Sequence, residues 1–136
     1  MSRKGGEIVA GERVAALAKG WLGTPYRHQA ARKGVGCDCL GLVRGVWRDL
    51  YGAEPERPLA YTMSWAVENQ GERLLDAARR HLVEAPATGL GEGAVVLFRW
   101  RARLPASHCG ILDGRGRLIH AYEGMACPNR VVRGES

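Results

Sequence analysis

The sequence lacks any run of 18 apolar residues, so it contains no transmembrane helix. It also lacks the apolar core of a signal peptide, because the charged residues Glu7, Glu12 and Arg13 follow the basic start. We therefore expect synthesis in the cytoplasm without a signal peptide. Internal repeats and low-complexity tracts are missing too, and the 46% apolar and 25% charged residues argue against disorder. The 136 residues predict a single domain, 1–136.

The charge balance of the chain is basic. A net charge of +6 suits an anionic partner but does not distinguish nucleic acid, an anionic membrane and an acidic wall polymer. The one local cluster is Arg99, Arg101 and Arg103. Its i, i+2, i+4 spacing predicts a basic ridge on one side of an extended segment.

The cysteines set the main question about function. There are four, at positions 37, 39, 109 and 127. Without a signal peptide, disulfides are not the first interpretation, which leaves buried structural thiols, a metal site or a nucleophile. Together with two histidines, the cysteines have ligand types that zinc accepts. However, the Cys37-x-Cys39 and His108-Cys109 spacings are not those of zinc knuckles, so we predict no metal and no other cofactor.

Hydrophobic periodicity predicts helices in the first half of the chain and strands in the second. The helical patterns cover Glu7–Leu22, a segment from Cys39 to Gly52, and the region Leu74–Leu82. The strand patterns cover 94–98, 107–112 and 117–122, with a short last strand beginning at Val131. This order predicts an α+β fold, with N-terminal helices packed on an antiparallel sheet.

Cys39 occupies a position that favours a reactive thiolate. Asp38 is a good N-cap, so the second helix begins at Cys39. Cys39 also falls on the apolar stripe of this helix, which turns its side chain toward the body of the protein. A helix N-terminus and a nearby imidazolium both stabilise a thiolate, and the imidazolium requires a histidine from elsewhere in the fold.

His108 and His120 lie on two predicted strands joined by a glycine-containing turn. A two-residue loop would place the two histidines on opposite faces of the sheet. A three-residue loop ending at a left-handed Gly116 pairs His120 with Gly110, diagonal to His108 and on the same face. Gly at position 116 favours this second register. One histidine then serves as base and the other orients it, while Cys109 turns to the opposite face as a small core residue.

Five stretches of the sequence, taken together, resemble the motifs of the NlpC superfamily of cell-wall cysteine peptidases. In chain order they are Gly23–Tyr26 (GTPY), Cys37–Val43 (CDCLGLV), Gly93–Phe98 (GAVVLF), His108–Ile111 (HCGI) and Leu118–Ala121 (LIHA). The resemblance spans about residues 8 to 122, nearly the whole chain. The run 24–52 is most similar to the small phage-type branch, which occurs in tail gene clusters of phages and gene transfer agents.

This resemblance implies a permuted papain-like fold and hydrolysis of amide bonds in peptidoglycan stem peptides, commonly between D-glutamate and a diamino acid. By motif position, Cys39 is implied as the nucleophile, His108 as the general base and His120 as the orienting residue. Tyr26 matches a family tyrosine whose hydroxyl assists the oxyanion site. Leu40 stands where the family often has serine, which changes a neighbour of the thiol but not the thiol itself.

The phage-type resemblance further implies a tail or baseplate component that aids cell-wall penetration. The expected partners are a peptidoglycan peptide as substrate and tail hub or tip proteins for docking, with no nucleic acid. The expected location is a phage-like particle tail acting in the periplasm or cell wall. Two alternatives stay open: a tail-tip adaptor with little activity, and acyl transfer by the same residues. An adaptor needs none of Cys39, His108 and His120, so their presence argues for an enzyme.

Overall fold

The computed structural model describes residues 10–55, 72–122 and 125–131. In chain order the described elements are α1 (Gly11–Lys19), β1 (Ala31–Arg32), β2 (Gly36–Cys37), α2 (Cys39–Tyr51), α3 (Arg73–His81), a 3-10 helix (Ala87–Gly89), β3 (Val95–Phe98), β4 (His108–Leu112), β5 (Arg117–Ile119) and β6 (Asn129–Val131). Strands β3 to β6 form one antiparallel sheet in chain order, and β1 pairs with β2 in a separate hairpin. The predicted α+β class is confirmed. None of the described helices is long and apolar enough to cross a membrane.

Helix α2 packs against α1 and against the sheet. It begins and ends as predicted. At its N-terminus, the Oδ1 atom of Asp38 accepts the N–H of Gly41 at 2.7 Å. At its C-terminus, Gly52 adopts a left-handed φ of 85°. The apolar stripe of α2 packs into one core with α1 and the sheet, whose fully buried side chains include Val14, Ala18, Leu42, Val46, Ile111 and Ile119.

The β4–β5 hairpin has the register that the turn glycine favours. Ile111 pairs with Ile119, and the loop between the strands contains Gly116 at a φ of +75°. The carboxylate of Asp113 supports the turn by accepting the N–H groups of Arg115 at 2.7 Å and Arg117 at 3.1 Å. The predicted three-residue loop is therefore confirmed, and with it the placement of His108 and His120 on one face.

Helix α1 is shorter than its apolar pattern predicts. It ends at Lys19 rather than Leu22, and the predicted part Glu7–Val9 lies outside the described residues. Trp21 is still 2% exposed, although it lies in the turn that follows the helix. Its indole ring packs against α2 at Gly45, where an added Cβ would overlap the ring. The apolar pattern thus identified the buried side chain correctly and the end of the helix incorrectly.

The β1–β2 hairpin is not predicted, because two-residue strands in a polar stretch carry no hydrophobic alternation. It supports the chain that leads into α2. The N–H of Cys37 donates to the carbonyl of Pro25 at 3.0 Å, and the N–H of Asp38 donates to the carbonyl of Ala30 at 3.2 Å. The Oδ2 atom of Asp38 also accepts the N–H of Gln29 at 2.8 Å. The hairpin therefore holds the N-cap residue, and with it the first residue of α2.

The predicted basic ridge is wrong. Strand β3 ends at Phe98, and residues 100–104 form bends and a turn instead of an extended segment. Arg99 is used within the fold, since its guanidinium lies 2.8 Å from the carboxylate of Glu72. Glu72 also accepts the N–H of Ala106 at 2.7 Å. These bonds tie the start of α3 to the segment that enters β4.

Candidate active site

Cys39 is the first residue of α2, and its side chain lies against the start of β4. It is 9% exposed, and its sulfur is 3.9 Å from the carbonyl oxygen of Ser107. The next two residues, His108 and Cys109, begin β4, and Cys109 belongs with Cys39 to a small buried cluster. The helix start and the strand start thus bring together a thiol and an imidazole.

These surroundings lower the pKa of the Cys39 thiol to about 5. The largest cause is the interaction with the neighbouring Cys109 side chain. Burial acts in the opposite direction, because it penalises the charged form. The neighbouring His108 lowers the pKa of Cys39 further, whereas the negative charge of Asp38 raises it. The lowered pKa of Cys39 favours the thiolate, which is the reactive form of cysteine.

His108 and His120 form the second part of the site. The Nε2 atom of His108 lies 2.8 Å from Nδ1 of His120, with an angle of 77° between the ring planes. This contact occupies Nε2 of His108 and leaves Nδ1 as the ring nitrogen open to another group. The predicted meeting of the two histidines is confirmed.

His120 is suited to hold the His108 ring. Burial, followed by the charges of His108 and Arg130, lowers the pKa of His120 to about 4, so this ring is neutral at pH 7. The residue is 7% exposed, and its Nε2 atom has no hydrogen-bond partner among the described residues. With its proton on Nε2, the ring presents a lone pair on Nδ1 to a protonated His108.

Aromatic rings border the histidine pair. The ring of Phe98 lies 5.9 Å from that of His108, and the ring of Tyr122 lies 6.1 Å from His108 and 6.0 Å from His120. Tyr122 in turn contacts Trp100, whose ring centroid is 6.5 Å away and which is 61% exposed. These contacts restrict the rotation of both imidazoles and give the site an exposed aromatic edge.

Tyr26 lies beside the segment that leads into Cys39. Its backbone forms an isolated parallel bridge with Cys37, and its partly buried side chain packs against the main core. The backbone of Tyr26 therefore lies beside the segment that leads into α2. The role of its hydroxyl in an oxyanion site stays a prediction.

The remaining cysteines are free, buried thiols. Cys37 and Cys127 are part of the main core, where burial raises the pKa of Cys37 to about 12 and that of Cys127 to about 11. Both are therefore protonated and structural at neutral pH. In the part of the chain that the structure describes, no three His, Cys, Asp or Glu side chains are grouped to hold a metal ion.

Sequence reasoning missed the contact between Cys39 and Cys109. Strand alternation correctly makes Cys109 a core residue, since it is 1% exposed. The same core face, however, is the one on which α2 lies, and Cys109 packs with Cys39 and Leu74 in a small buried cluster. The position of a helix along a sheet leaves no local signal in the sequence. The carbonyl of Ser107 was missed for the same reason.

The site as a whole defines a class of protein. A buried cysteine at a helix N-terminus, a histidine at the start of the adjacent strand and a second histidine in contact with the first are the residue types of a cysteine-hydrolase site. A profile of the NlpC/P60 family matches residues 23–134, which include all three side chains. The chain belongs to the NlpC/P60 family.

Two curated relatives agree with this assignment. Murein DD-endopeptidase MepH of Escherichia coli (strain K12) is 31% identical over 100 residues, which are 74% of this chain and 32% of the relative. Gamma-DL-glutamyl hydrolase of Bacillus subtilis (strain 168) is 32% identical over 108 residues, which are 79% of this chain and 22% of the relative. The chain therefore spans about a third of the first relative and about a fifth of the second.

Solved structures agree on the fold. The NlpC/p60 domain of the peptidoglycan hydrolase SagA has a TM-score of 0.62 at 22% identity, and the match covers 90% of each chain. NlpC2 from Trichomonas vaginalis has a TM-score of 0.59 at 22% identity, covering 91% of this chain and 42% of that one. The helices and antiparallel sheet described above are thus those of an NlpC/P60 domain.

Proposed function

We propose that the protein is a cysteine peptidase that hydrolyses amide bonds in the stem peptides of peptidoglycan. The observation that carries this proposal is the arrangement of Cys39, His108 and His120, in which Cys39 has a pKa of about 5 and the two imidazoles are 2.8 Å apart. The substrate is supported by the family and by two relatives, one named an endopeptidase of murein and the other a glutamyl hydrolase.

In the acylation step, the Cys39 thiolate attacks the carbonyl carbon and a carbon–sulfur bond forms. Negative charge moves to the carbonyl oxygen, where the N–H of Cys39 at the helix N-terminus, with Tyr26 as a helper, stabilises it. The imidazolium of His108 then gives its proton to the leaving nitrogen as the carbon–nitrogen bond breaks. His120 accepts the hydrogen bond from the other nitrogen of His108 and holds the ring in place.

In the deacylation step, neutral His108 takes a proton from water, and the resulting hydroxide attacks the thioester carbon. The carbon–sulfur bond breaks and releases a carboxylic acid product. Cys39 leaves as a thiolate and His108 is again an imidazolium, so the starting state is restored. An amine in place of water would give the acyl-transfer product.

We further propose that the scissile bond joins D-glutamate to the diamino acid. The motifs of the sequence support this bond, and so does the relative named for a gamma-glutamyl link. The other relative is named for a DD-endopeptidase, which is a different bond. An experiment therefore has to distinguish cleavage of the D-glutamyl bond from cleavage of the DD bond.

The test is digestion of purified, cross-linked muropeptides that contain a diamino acid, analysed by mass spectrometry. We expect fragments cut after D-glutamate with the natural chain and none with Cys39→Ala. Release of monomers from cross-linked muropeptides would show that the chain cleaves the DD bond instead. Absence of any cleavage by the natural chain would refute the proposed peptidase activity. A product carrying a new amine would identify acyl transfer.

The phage-type motifs support one further proposal, that the peptidase is carried on the tail of a phage-like particle and acts in the periplasm or cell wall. The measurement is proteomic analysis of particles purified from producing cells. We expect the chain to co-sediment with tail proteins, and recovery in the soluble lysate alone would contradict the proposal. Co-sedimentation of a chain that cleaves nothing, alone or in the particle, would favour the adaptor.

A further inference from the structure

An exposed aromatic edge, formed by Trp100 and Tyr122, borders the histidine pair and has no part in the mechanism described above. The two ring centroids are 6.5 Å apart, with an angle of 66° between the ring planes. The ring of Tyr122 lies 6.1 Å from that of His108 and 6.0 Å from that of His120. Trp100 is 61% exposed and Tyr122 is 38% exposed. Two large rings therefore face solvent beside the two imidazoles.

Arg130 adds a positive charge to the aromatic edge. The residue is exposed, and the central carbon of its guanidinium lies 6.0 Å from the centroid of the Tyr122 ring. Its Nη2 atom contacts the sulfur of Met125 at 2.8 Å, and this thioether is uncharged, so it does not neutralise the guanidinium. The charge also acts at the histidine pair, because it is one cause of the lowered pKa of His120. The edge therefore combines apolar ring surface with a donor suited to a carboxylate.

The chemistry of acylation indicates which part of the substrate meets this edge. In the proposed mechanism, His108 gives its proton to the leaving nitrogen, so that nitrogen has to lie within hydrogen-bond distance of the His108 ring. The rest of the leaving group is bonded to this nitrogen and extends past the imidazole, while the acyl group stays on Cys39. The exposed rings that border His108 are therefore on the leaving-group side of the site.

We propose that Trp100, Tyr122 and Arg130 form the subsite for the leaving diamino acid and favour one whose side chain ends in a carboxylate, as in diaminopimelate. This inference rests on the proposed peptidase function and names the part of its substrate that these three residues recognise. The aromatic rings cover the apolar methylenes of the side chain, and the guanidinium of Arg130 pairs with the carboxylate.

The dimensions of the aromatic edge fit such a side chain. When extended, the side chain of diaminopimelate places its carboxylate roughly 7 Å from the leaving nitrogen. That length is sufficient to cross the Tyr122 ring and approach Arg130, which is 6.0 Å from the ring centroid. Lysine ends in an ammonium group alone and offers Arg130 no acceptor. Arg130 should therefore distinguish the two diamino acids.

The test is calorimetric binding of two tripeptides, L-alanyl-γ-D-glutamyl-diaminopimelate and its lysine counterpart, to Cys39→Ala, which lacks the nucleophile. Both peptides have the same C-terminal carboxylate, so a difference in affinity reports on the end of the side chain. We expect the diaminopimelate peptide to bind about tenfold more tightly, as a hydrogen bond between charged groups allows. In the same background, Arg130→Gln should weaken only the diaminopimelate peptide and remove the preference. Trp100→Ala should weaken both peptides.

Arg115→Gln is the matched control in the same background. Arg115 is an exposed arginine in the β4–β5 turn, at the other end of the hairpin from His108 and His120. The variant loses the same charge as Arg130→Gln and should leave both affinities unchanged. Trp100→Phe keeps an aromatic ring and should retain most of the affinity that Trp100→Ala loses. Far-UV circular dichroism checks the folding of each variant.

Equal affinities for the two peptides, or a loss in Arg130→Gln that Arg115→Gln reproduces, would overturn the proposal. So would the absence of binding to either peptide, and a dimer that Trp100→Ala converts to a monomer would then assign the edge to a second copy of the chain. Cleavage of the same peptides by the natural chain is measured separately. A binding preference without cleavage would refute the peptidase activity and retain the subsite, whereas cleavage without a preference would refute the subsite alone.

Discussion

His108 and His120 are joined across neighbouring strands by a contact of 2.8 Å between Nε2 of the first and Nδ1 of the second. Both rings are restrained by aromatic neighbours, and the pKa of His120 is lowered to about 4. In the proposed mechanism, His108 exchanges protons, whereas His120 stays neutral and fixes the orientation of His108. This division of roles leads to the first two predictions.

His120→Ala should lower kcat by roughly 10²-fold and leave the fold intact. The reason is that the His108 ring loses the partner that fixes its orientation, while Cys39 itself is unchanged. His120→Asn, which retains a side-chain acceptor, should lose less. The measurement is steady-state cleavage of muropeptides, and a His120→Ala variant with unchanged kcat would show that the contact has no role in orientation.

Acid should destabilise the protein through His120. The unfolded histidine titrates near 6.5 and the folded one near 4, so between these values the unfolded chain binds a proton that the folded chain does not. Stability is therefore lost as the pH falls from 6.5 toward 4. Between pH 7 and pH 4.5, we expect the free energy of unfolding to fall by about 1–2 kcal/mol more for the natural chain than for His120→Asn. Urea unfolding at the two pH values measures this difference. Equal losses in the two proteins would contradict this assignment.

Removal of the N-cap should destabilise the helix that carries the nucleophile. Asp38 is 2% exposed and accepts the N–H groups of Gly41 and Gln29 at 2.7 and 2.8 Å. Asp38→Ala leaves both donors without this acceptor and should cost about 2 kcal/mol in the free energy of unfolding. Asp38→Asn retains one acceptor oxygen and should cost less. If the two variants are equally stable, the carboxylate does not act as a cap.

Gly45→Ala should destabilise the protein, although the same change at an exposed helix position stabilises by up to about 1 kcal/mol. At position 45 the added Cβ would overlap the indole ring of Trp21, which is 2% exposed and cannot move freely. We expect a loss of about 1–3 kcal/mol in thermal or urea unfolding. Gly89→Ala is the matched control, since nothing lies within 4 Å of its added Cβ, and it should be close to neutral. A Gly45→Ala variant as stable as the natural chain would show that Trp21 repacks.

The sequence by itself determined the local parts of this site. Asp38 before an apolar stripe determined where α2 begins, because a capping carboxylate acts on N–H groups within the next turn. Gly116 determined the hairpin register, because its left-handed φ closes a three-residue loop and aligns His108 with His120. These outcomes depend on interactions between residues that are close in the chain.

Only the tertiary structure decided what surrounds the thiol. The distance between Cys39 and Ser107 is 3.9 Å across 68 positions of sequence, and it is set by how α2 packs on the sheet. That packing also places Cys109 in one buried cluster with Cys39. Another tertiary contact pairs Arg99 with Glu72, so that Arg99 does not form part of a basic ridge. Such contacts depend on the shapes of many side chains at once and leave no periodic signal. Hence the sequence predicts which residues form the candidate site, and the fold decides what surrounds the Cys39 sulfur.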